Sequence, residues 1–428
     1  MIVKPLDRIP LLYHTRVREY DPEAVTRISA REEPPETAGL RKSDVDAIWS
    51  SVVTYYKRGL NPAMQLCIRR GGHVILDRSI GHRVGNAPTD PPDAEPEIAT
   101  PDTLFNFFSG SKAITAMLVH LLHEQGLIHI DEPVATFIPE FGRHRKHRIT
   151  VKDVLSHHAG IPAAPTESIN LDYLADSDRL LEAICDLRPV HRPGMHPAYH
   201  ALTGGFIFGE IIKRVTGADI RAYITKYVRE PLGFQHLNYG VAPEDLGKVA
   251  MNAFTGPEPV WPAHDLLMRA LGKPMRELVD ISNDPRFLTG IVPAGNIIAT
   301  ANEVSRFFEI LLNMGTLDGV QIFKARTVAS AVRPVVRGKI DRMLFLPVPY
   351  SAGFMLSGKH IGFYGPHTPE AYGHLGFTNV LGWADPERDL SACFMTSGKP
   401  FITAELLVWM NVMRTIAVRI PRDMRSAA

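Results

Sequence analysis

The chain has 428 residues, 45% of them hydrophobic and 22% charged, the proportions of an ordinary globular protein with room for one large domain or two or three smaller ones. A formal net charge of +1 gives no electrostatic ground to expect nucleic acid or a membrane as partner. No apolar run approaches the ~20 residues of a membrane-spanning helix, and residues 1–17 show no charged-then-apolar leader, so a soluble, unexported, cytoplasmic protein is expected. Cys67, Cys185 and Cys393 lie far apart and read as free buried thiols, which suits a reducing compartment.

Residues 1–42 are polar and irregular, broken by Glu-Glu-Pro-Pro-Glu at 32–36, and predict an N-terminal arm. Val45, Ile48, Trp49, Val52 and Tyr55 then recur at helical spacing, with Ser43 as a candidate N-cap. Two strand-like runs, 63–69 and 73–79, flank Arg70-Gly71-Gly72 and predict a hairpin. Residues 85–100, rich in Pro, Asp and Glu, predict an exposed loop. Ser109 then stands at the mouth of an apolar-periodic helix over 113–122 that ends near Gly126.

Residues 126–290 predict a mainly helical region. Its basic run, Arg143 to Arg148, reads as a solvated loop. Thr150 and Asp153 have capping-box spacing. His157 and His158 follow in a turn, and without a second ligand cluster at suitable spacing they read as structural rather than metal-binding. Gly204, Gly205 and Gly209 lead toward a helix over 210–215 that stops at Gly217, and they fit close packing better than a phosphate loop. Residues 253–290, with Pro and Trp261, predict a variable flap that shapes the pocket. Beyond Gly290, Thr300 caps an expected helix over 303–314, strands are expected at 350–356, 379–384 and 390–396, and an apolar-striped helix at 405–418. Strands at both ends with helices between them predict an α+β fold. One antiparallel sheet draws on residues 43–125 and 291–428, flanked by helices, with the helical domain 126–290 inserted.

The chemistry gathers at three places. Ser109 and Lys112 form the only Ser-x-x-Lys of the chain, and that spacing sets both on one helical face, one turn apart. The helix N-terminus favours negative charge at Ser109, and burial would ease loss of the Lys112 proton. Taken alone, the pair reads more readily as a helix cap followed by a surface charge. Pro193-Gly194 makes a turn that delivers Tyr199 to the next helix, and Tyr372-Gly373-His374-Leu375-Gly376-Phe377 is a strand in which glycine permits close approach. Acyl transfer through serine needs a nucleophile, a base, a proton donor and an oxyanion hole, and these residues supply all four.

Together with Leu155-Ser156-His157-His158-Ala159-Gly160-Ile161-Pro162 and Pro293-Ala294-Gly295-Asn296-Ile297-Ile298-Ala299-Thr300, these stretches fall in a characteristic order. In that order the chain resembles the penicillin-recognising serine hydrolases, above all class C β-lactamases and family VIII carboxylesterases, from about residue 45 to 418. The resemblance implies the β-lactamase/transpeptidase-like fold with the active site between sheet and helical domain. It also implies Ser109 as nucleophile, Lys112 as base, and Tyr199 as the proton shuttle. The amides of Ser109 and Phe377 would form the oxyanion hole, and His374-Leu375-Gly376 would stand where relatives carry Lys-Thr-Gly.

Two departures bear on substrate. Tyr199-His200-Ala201 lacks the asparagine of Tyr-x-Asn, and the third motif lacks both the lysine and the hydroxyl that would hold an antibiotic carboxylate. A carboxylesterase acting on a small-molecule ester of short to medium acyl chain is therefore expected. No metal, nucleotide or flavin motif is present, so no cofactor is expected. The rivals on the same fold are a β-lactamase, a D-amino-acid peptidase and an acyltransferase. A non-catalytic binding protein is the rival from another class.

Overall fold

The computed structural model describes residues 15–163, 170–174, 176–259, 261, 264–265, 268, 272–358, 362–401 and 406–422. Its frame is a ten-stranded antiparallel sheet. The strands near the N-terminus are β1 (Thr26–Ile28), β2 (Ala63–Arg70), β3 (His73–Val84) and β4 (Glu97–Ile98). Two short strands, β5 (Phe105–Asn106) and β6 (Asn238–Tyr239), belong to a side sheet completed by β7 (Ile297–Ala299). The large sheet resumes with β8 (Pro334–Val336), β9 (Tyr350–Ser351), β10 (Met355–Leu356), β11 (Tyr372–Leu375), β12 (Leu381–Asp385) and β13 (Leu390–Thr396). The order is β1-β3-β2-β13-β12-β11-β10-β9-β8, with β4 also pairing β3, so the two ends of the chain meet where β2 lies against β13.

Both faces of that central pair are buried, which explains its nearly continuous apolar sequence. Met64, Leu66 and Ile68, with Ala392 and Phe394, pack under α1 (Lys42–Tyr56) and the C-terminal helix Leu406–Arg419. Ala63 and Cys67, with Cys393 and Met395, face the opposite side and join α2 (Ser111–Glu124), α3 (Thr203–Thr216) and α4 (Ala301–Leu312) in one apolar cluster. A one-residue alternation thus builds two cores. The three cysteines are free and buried.

Several local expectations need correction. The expected arm is not wholly irregular: its first fourteen residues lie outside the described ones, but β1 extends the sheet as an edge strand on β3. Arg31 anchors this segment on the fully buried Asp77 at 2.7 Å, and Glu32 holds Arg78 at 2.7 Å. Ser43 is not a cap, because α1 starts at Lys42 and the Asp44 carboxylate accepts from the Arg41 amide instead. Gly204, Gly205 and Gly209 lie within α3 rather than ahead of it. Asn379 precedes β12 rather than opening it. Of the expected flap, residues 260, 262–263, 266–267 and 269–271 fall outside the described residues, as do 402–405 before the last helix. The capping box of Thr150 with Asp153, the Thr300 cap and the left-handed stop at Gly217 all form. Among the described residues no helix is long and apolar enough to cross a membrane.

Candidate active site

Ser109 sits in a tight turn over Phe108–Gly110 that runs directly into α2. It does not cap that helix; Gly110 holds the cap position and its neighbours fix the turn. The Phe108 amide donates to Asn106 Oδ1 at 2.9 Å, and the Phe107 amide donates to the Ile297 carbonyl at 2.8 Å. Phe108 adopts φ +47°, an unfavourable backbone for an aromatic residue, held by these surrounding contacts. Phe107 is fully buried, and a β-carbon on Gly110 or Gly382 would stand 2.3 or 2.6 Å from its ring. Two glycines therefore leave the slot that pins the turn.

One turn into α2, Lys112 Nζ is 3.0 Å from Ser109 Oγ and donates to the Ala294 carbonyl at 3.0 Å. Burial pushes its amine down from 10.5 to about 7, so near neutral pH a large fraction carries a lone pair. The Pro293–Asn296 stretch presents that carbonyl. Its Asn296 side chain accepts from the Val292 amide and donates to the Phe287 and Gly290 carbonyls, and Thr115 of α2 donates to the Pro293 carbonyl at 2.6 Å.

Tyr199 arrives from the turn before α3. Lys112 Nζ lies 5.0 Å from its ring centroid, and its phenol is near enough to Ser109 for that hydroxyl to oppose the effect of burial on it. Burial holds the phenol far above its ordinary range, so Tyr199 stays protonated where Lys112 titrates. His374 of β11 closes the other side, 6.1 Å from the Tyr199 ring. Its Nδ1 lies 2.7 Å from the Leu375 carbonyl, and burial pushes its imidazole down to about 3. The position is therefore a neutral ring, not a cation. Gly376 then passes so close to the nucleophile turn that a β-carbon would stand 2.7 Å from the Phe107 carbonyl. That passage sets Phe377 beside Phe108, with ring centroids 5.4 Å apart. Among the described residues the Phe377 amide donates to no protein acceptor. All six residues singled out from the sequence thus converge on one spot.

Four further residues reach this spot, of which His157 belongs to a stretch already singled out in the sequence while Asp341, Asn379 and Lys399 carry little sequence signal. His157, at φ +61°, packs its ring 4.7 Å from that of Tyr199, and its Nδ1 accepts from the His200 amide at 3.0 Å. Among the described residues no cluster of metal-binding side chains forms. Asp341, fully buried, accepts from the Tyr199 amide at 3.2 Å and from the Tyr350 hydroxyl at 2.9 Å. Asn379 donates to Tyr55 and Asn61 and accepts from Thr396, which anchors the loop carrying Phe377. Lys399 is fully buried with Nζ 4.6 Å from the Phe108 ring centroid, and it donates to the Thr396 carbonyl at 2.6 Å. Adjacency in space, not spacing along the chain, marks the last three.

A half-buried serine hydroxyl between an amine that loses its proton near neutral pH and a protonated phenol, beside an uncommitted amide, defines a serine hydrolase site on a β-lactamase/transpeptidase-like fold. Comparison with known proteins agrees. The Beta-lactamase family model matches residues 52–414, and the chain belongs to that family of serine hydrolases. The chain is 30% identical over 307 residues to Esterase/beta-lactamase LipL of Mycobacterium tuberculosis, covering 66% of this chain and 67% of LipL. Among solved structures, a penicillin-binding protein homologue from Caulobacter crescentus superposes with TM-score 0.74 at 24% identity, covering 89% of this chain and 99% of that one. A family VIII carboxylesterase superposes with TM-score 0.73 at 26% identity, covering 88% of this chain and 98% of that one.

Proposed function

We propose that the protein is a carboxylic-ester hydrolase working through an acyl-Ser109 intermediate on small esters of short to medium acyl chain. The carrying observation is the Lys112 amine, lowered to about 7 and set 3.0 Å from Ser109 Oγ. In acylation Lys112 takes the Ser109 proton while Oγ adds to the ester carbonyl. The amides of Ser109 and Phe377 receive the oxyanion, and Tyr199 passes a proton to the leaving alcohol as the acyl–oxygen bond breaks. In deacylation water adds to the acyl-serine carbonyl, its proton returns through Tyr199 and Lys112, and Ser109 leaves with the carboxylic acid released.

The preference for an ester over a β-lactam rests on charge and shape. His374 is neutral where a cation would pair with an antibiotic carboxylate, and Ala201 supplies no amide for a side-chain carbonyl. Phe108 and Phe377 offer apolar surface to an acyl chain. Among the relatives, a family VIII carboxylesterase supports the ester reading, while one named esterase/β-lactamase covers both activities. A cytoplasmic setting accords with free Cys67 and Cys393, which lie directly opposite on β2 and β13.

The test is hydrolysis of p-nitrophenyl esters from acetate to laurate by the protein and its Ser109→Ala variant. Turnover on the shorter esters, reduced by about 10³-fold or more in the variant, is expected. Full activity of Ser109→Ala contradicts the assignment, and nitrocefin turnover equal to ester turnover moves the substrate to the lactam class.

A further inference from the structure

The balanced total charge averages over a segregated surface. Residues 187–197 and 333–346 hold six of the fourteen large hydrophobic side chains that stand exposed among the described residues. Phe345 is 63% exposed, Ile340 62% and Met195 52%. The same two segments carry six exposed Lys or Arg residues, Arg337, Lys339 and Arg342 among them, and a single carboxylate, Asp341, which is buried. None of the six cations forms an ion pair with a carboxylate among the described residues.

The segments form one face. Lys339 Nζ donates to the Met195 carbonyl at 3.0 Å, and the Arg342 amide donates to the Pro197 carbonyl at 2.9 Å. The face adjoins the site, because Asp341 accepts from the amides of Tyr199, Met343 and Leu344 together.

We infer that this face docks the protein on an anionic lipid surface, with Ile340, Phe345 and Leu346 entering the acyl boundary and the surrounding cations resting on the headgroups. Apolar side chains ringed by Lys and Arg fit such an interface, where each part gains from a different layer. A second copy does not fit, since a two-fold contact would set six cations against six. Pro334 also blunts the edge strand β8, which would otherwise invite pairing. A nucleic-acid backbone would satisfy the cations and leave the large apolar side chains in water. Docking stands apart from the ester-hydrolase reading; only its use, bringing lipid-held esters to the Tyr199 side of the site, rests on that reading.

The experiment is co-sedimentation of the full chain, as Ser109→Ala so that binding is read without turnover, with phosphatidylcholine vesicles lacking or containing one third phosphatidylglycerol. Binding to the anionic vesicles, weakened by salt, is expected. The doubles Lys339→Glu/Arg342→Glu and Ile340→Ser/Phe345→Asn should each weaken it by about tenfold or more. In the wild-type background both doubles should keep soluble-ester turnover, which also shows that they fold. Equal binding to neutral and anionic vesicles, absence of binding to both, unchanged binding by the doubles, or tighter binding to duplex DNA than to the vesicles overturns the inference.

Discussion

At the scale of a single residue, burial acts on Lys112 in two opposed ways. It frees the amine to accept a proton from Ser109, and it opposes folding whenever the amine is charged. The activity effect has a definite sign. The base must be neutral, so kcat/KM should rise as pH passes about 7 and then level off, with that limb absent in Lys112→Arg, whose guanidinium stays charged. A pH–rate profile checks it; a flat profile from pH 5 to 9 contradicts it. The stability effect follows by linkage. The unfolded lysine binds its proton up to about 10.4 and the folded one only to about 7, so this group's penalty is full below 7 and relaxes as pH rises from 7 to 10.4. Thermal melts of Lys112→Met should show a gain in stability at pH 6 that shrinks toward pH 10. Tyr199 behaves differently, because burial keeps its resting phenol from titrating over the pH range in which Lys112 does. Tyr199→Phe should lower kcat by about 10²–10⁴-fold with little change in KM, measured on p-nitrophenyl acetate.

At the scale of elements, the site is made by close approaches that only glycine allows. A β-carbon on Gly205 would lie 2.5 Å from the Ala294 amide nitrogen, so α3 packs directly on the segment that presents a carbonyl to Lys112. Gly205→Ala should therefore cost about 1–3 kcal/mol of stability and lower kcat as Ala294 shifts. Denaturant titration and the ester assay read both; unchanged values contradict this coupling. Much of this level was legible in the sequence. The hairpin, the Thr150 and Thr300 caps and the stop at Gly217 follow local rules of turn and cap chemistry, and they form as those rules require. The start of α3 was not legible, because three glycines weaken helix propensity and tertiary packing overrides it. Ser43 misled for a related reason: Asp44 offers a stronger acceptor one residue later.

At the scale of the whole molecule, the sheet joins both ends of the chain, and its N-terminal edge depends on charge. Asp77 is fully buried and its carboxyl is pushed up by burial, with Arg31 opposing that shift. Arg31→Ala should lower stability by about 1–3 kcal/mol, since it leaves an uncompensated buried carboxylate, and a melt at neutral pH reads the loss. No local pattern in 1–42 announces this, because the pairing of β1 with β3 spans some fifty residues of intervening chain. Asp341, Asn379 and Lys399 were hidden likewise: each reaches the site by a long-range contact, whereas Ser109 and Lys112 lie one turn apart and Tyr199 and His374 sit in recognisable motifs.

Whether Ser109 carries the acyl group is read by intact-mass spectrometry of the protein quenched during turnover of p-nitrophenyl butyrate. A butyryl adduct that maps to the peptide containing Ser109 and vanishes in Ser109→Ala is the predicted result. An adduct on another residue, or one that persists in Ser109→Ala, would remove Ser109 from the role of nucleophile.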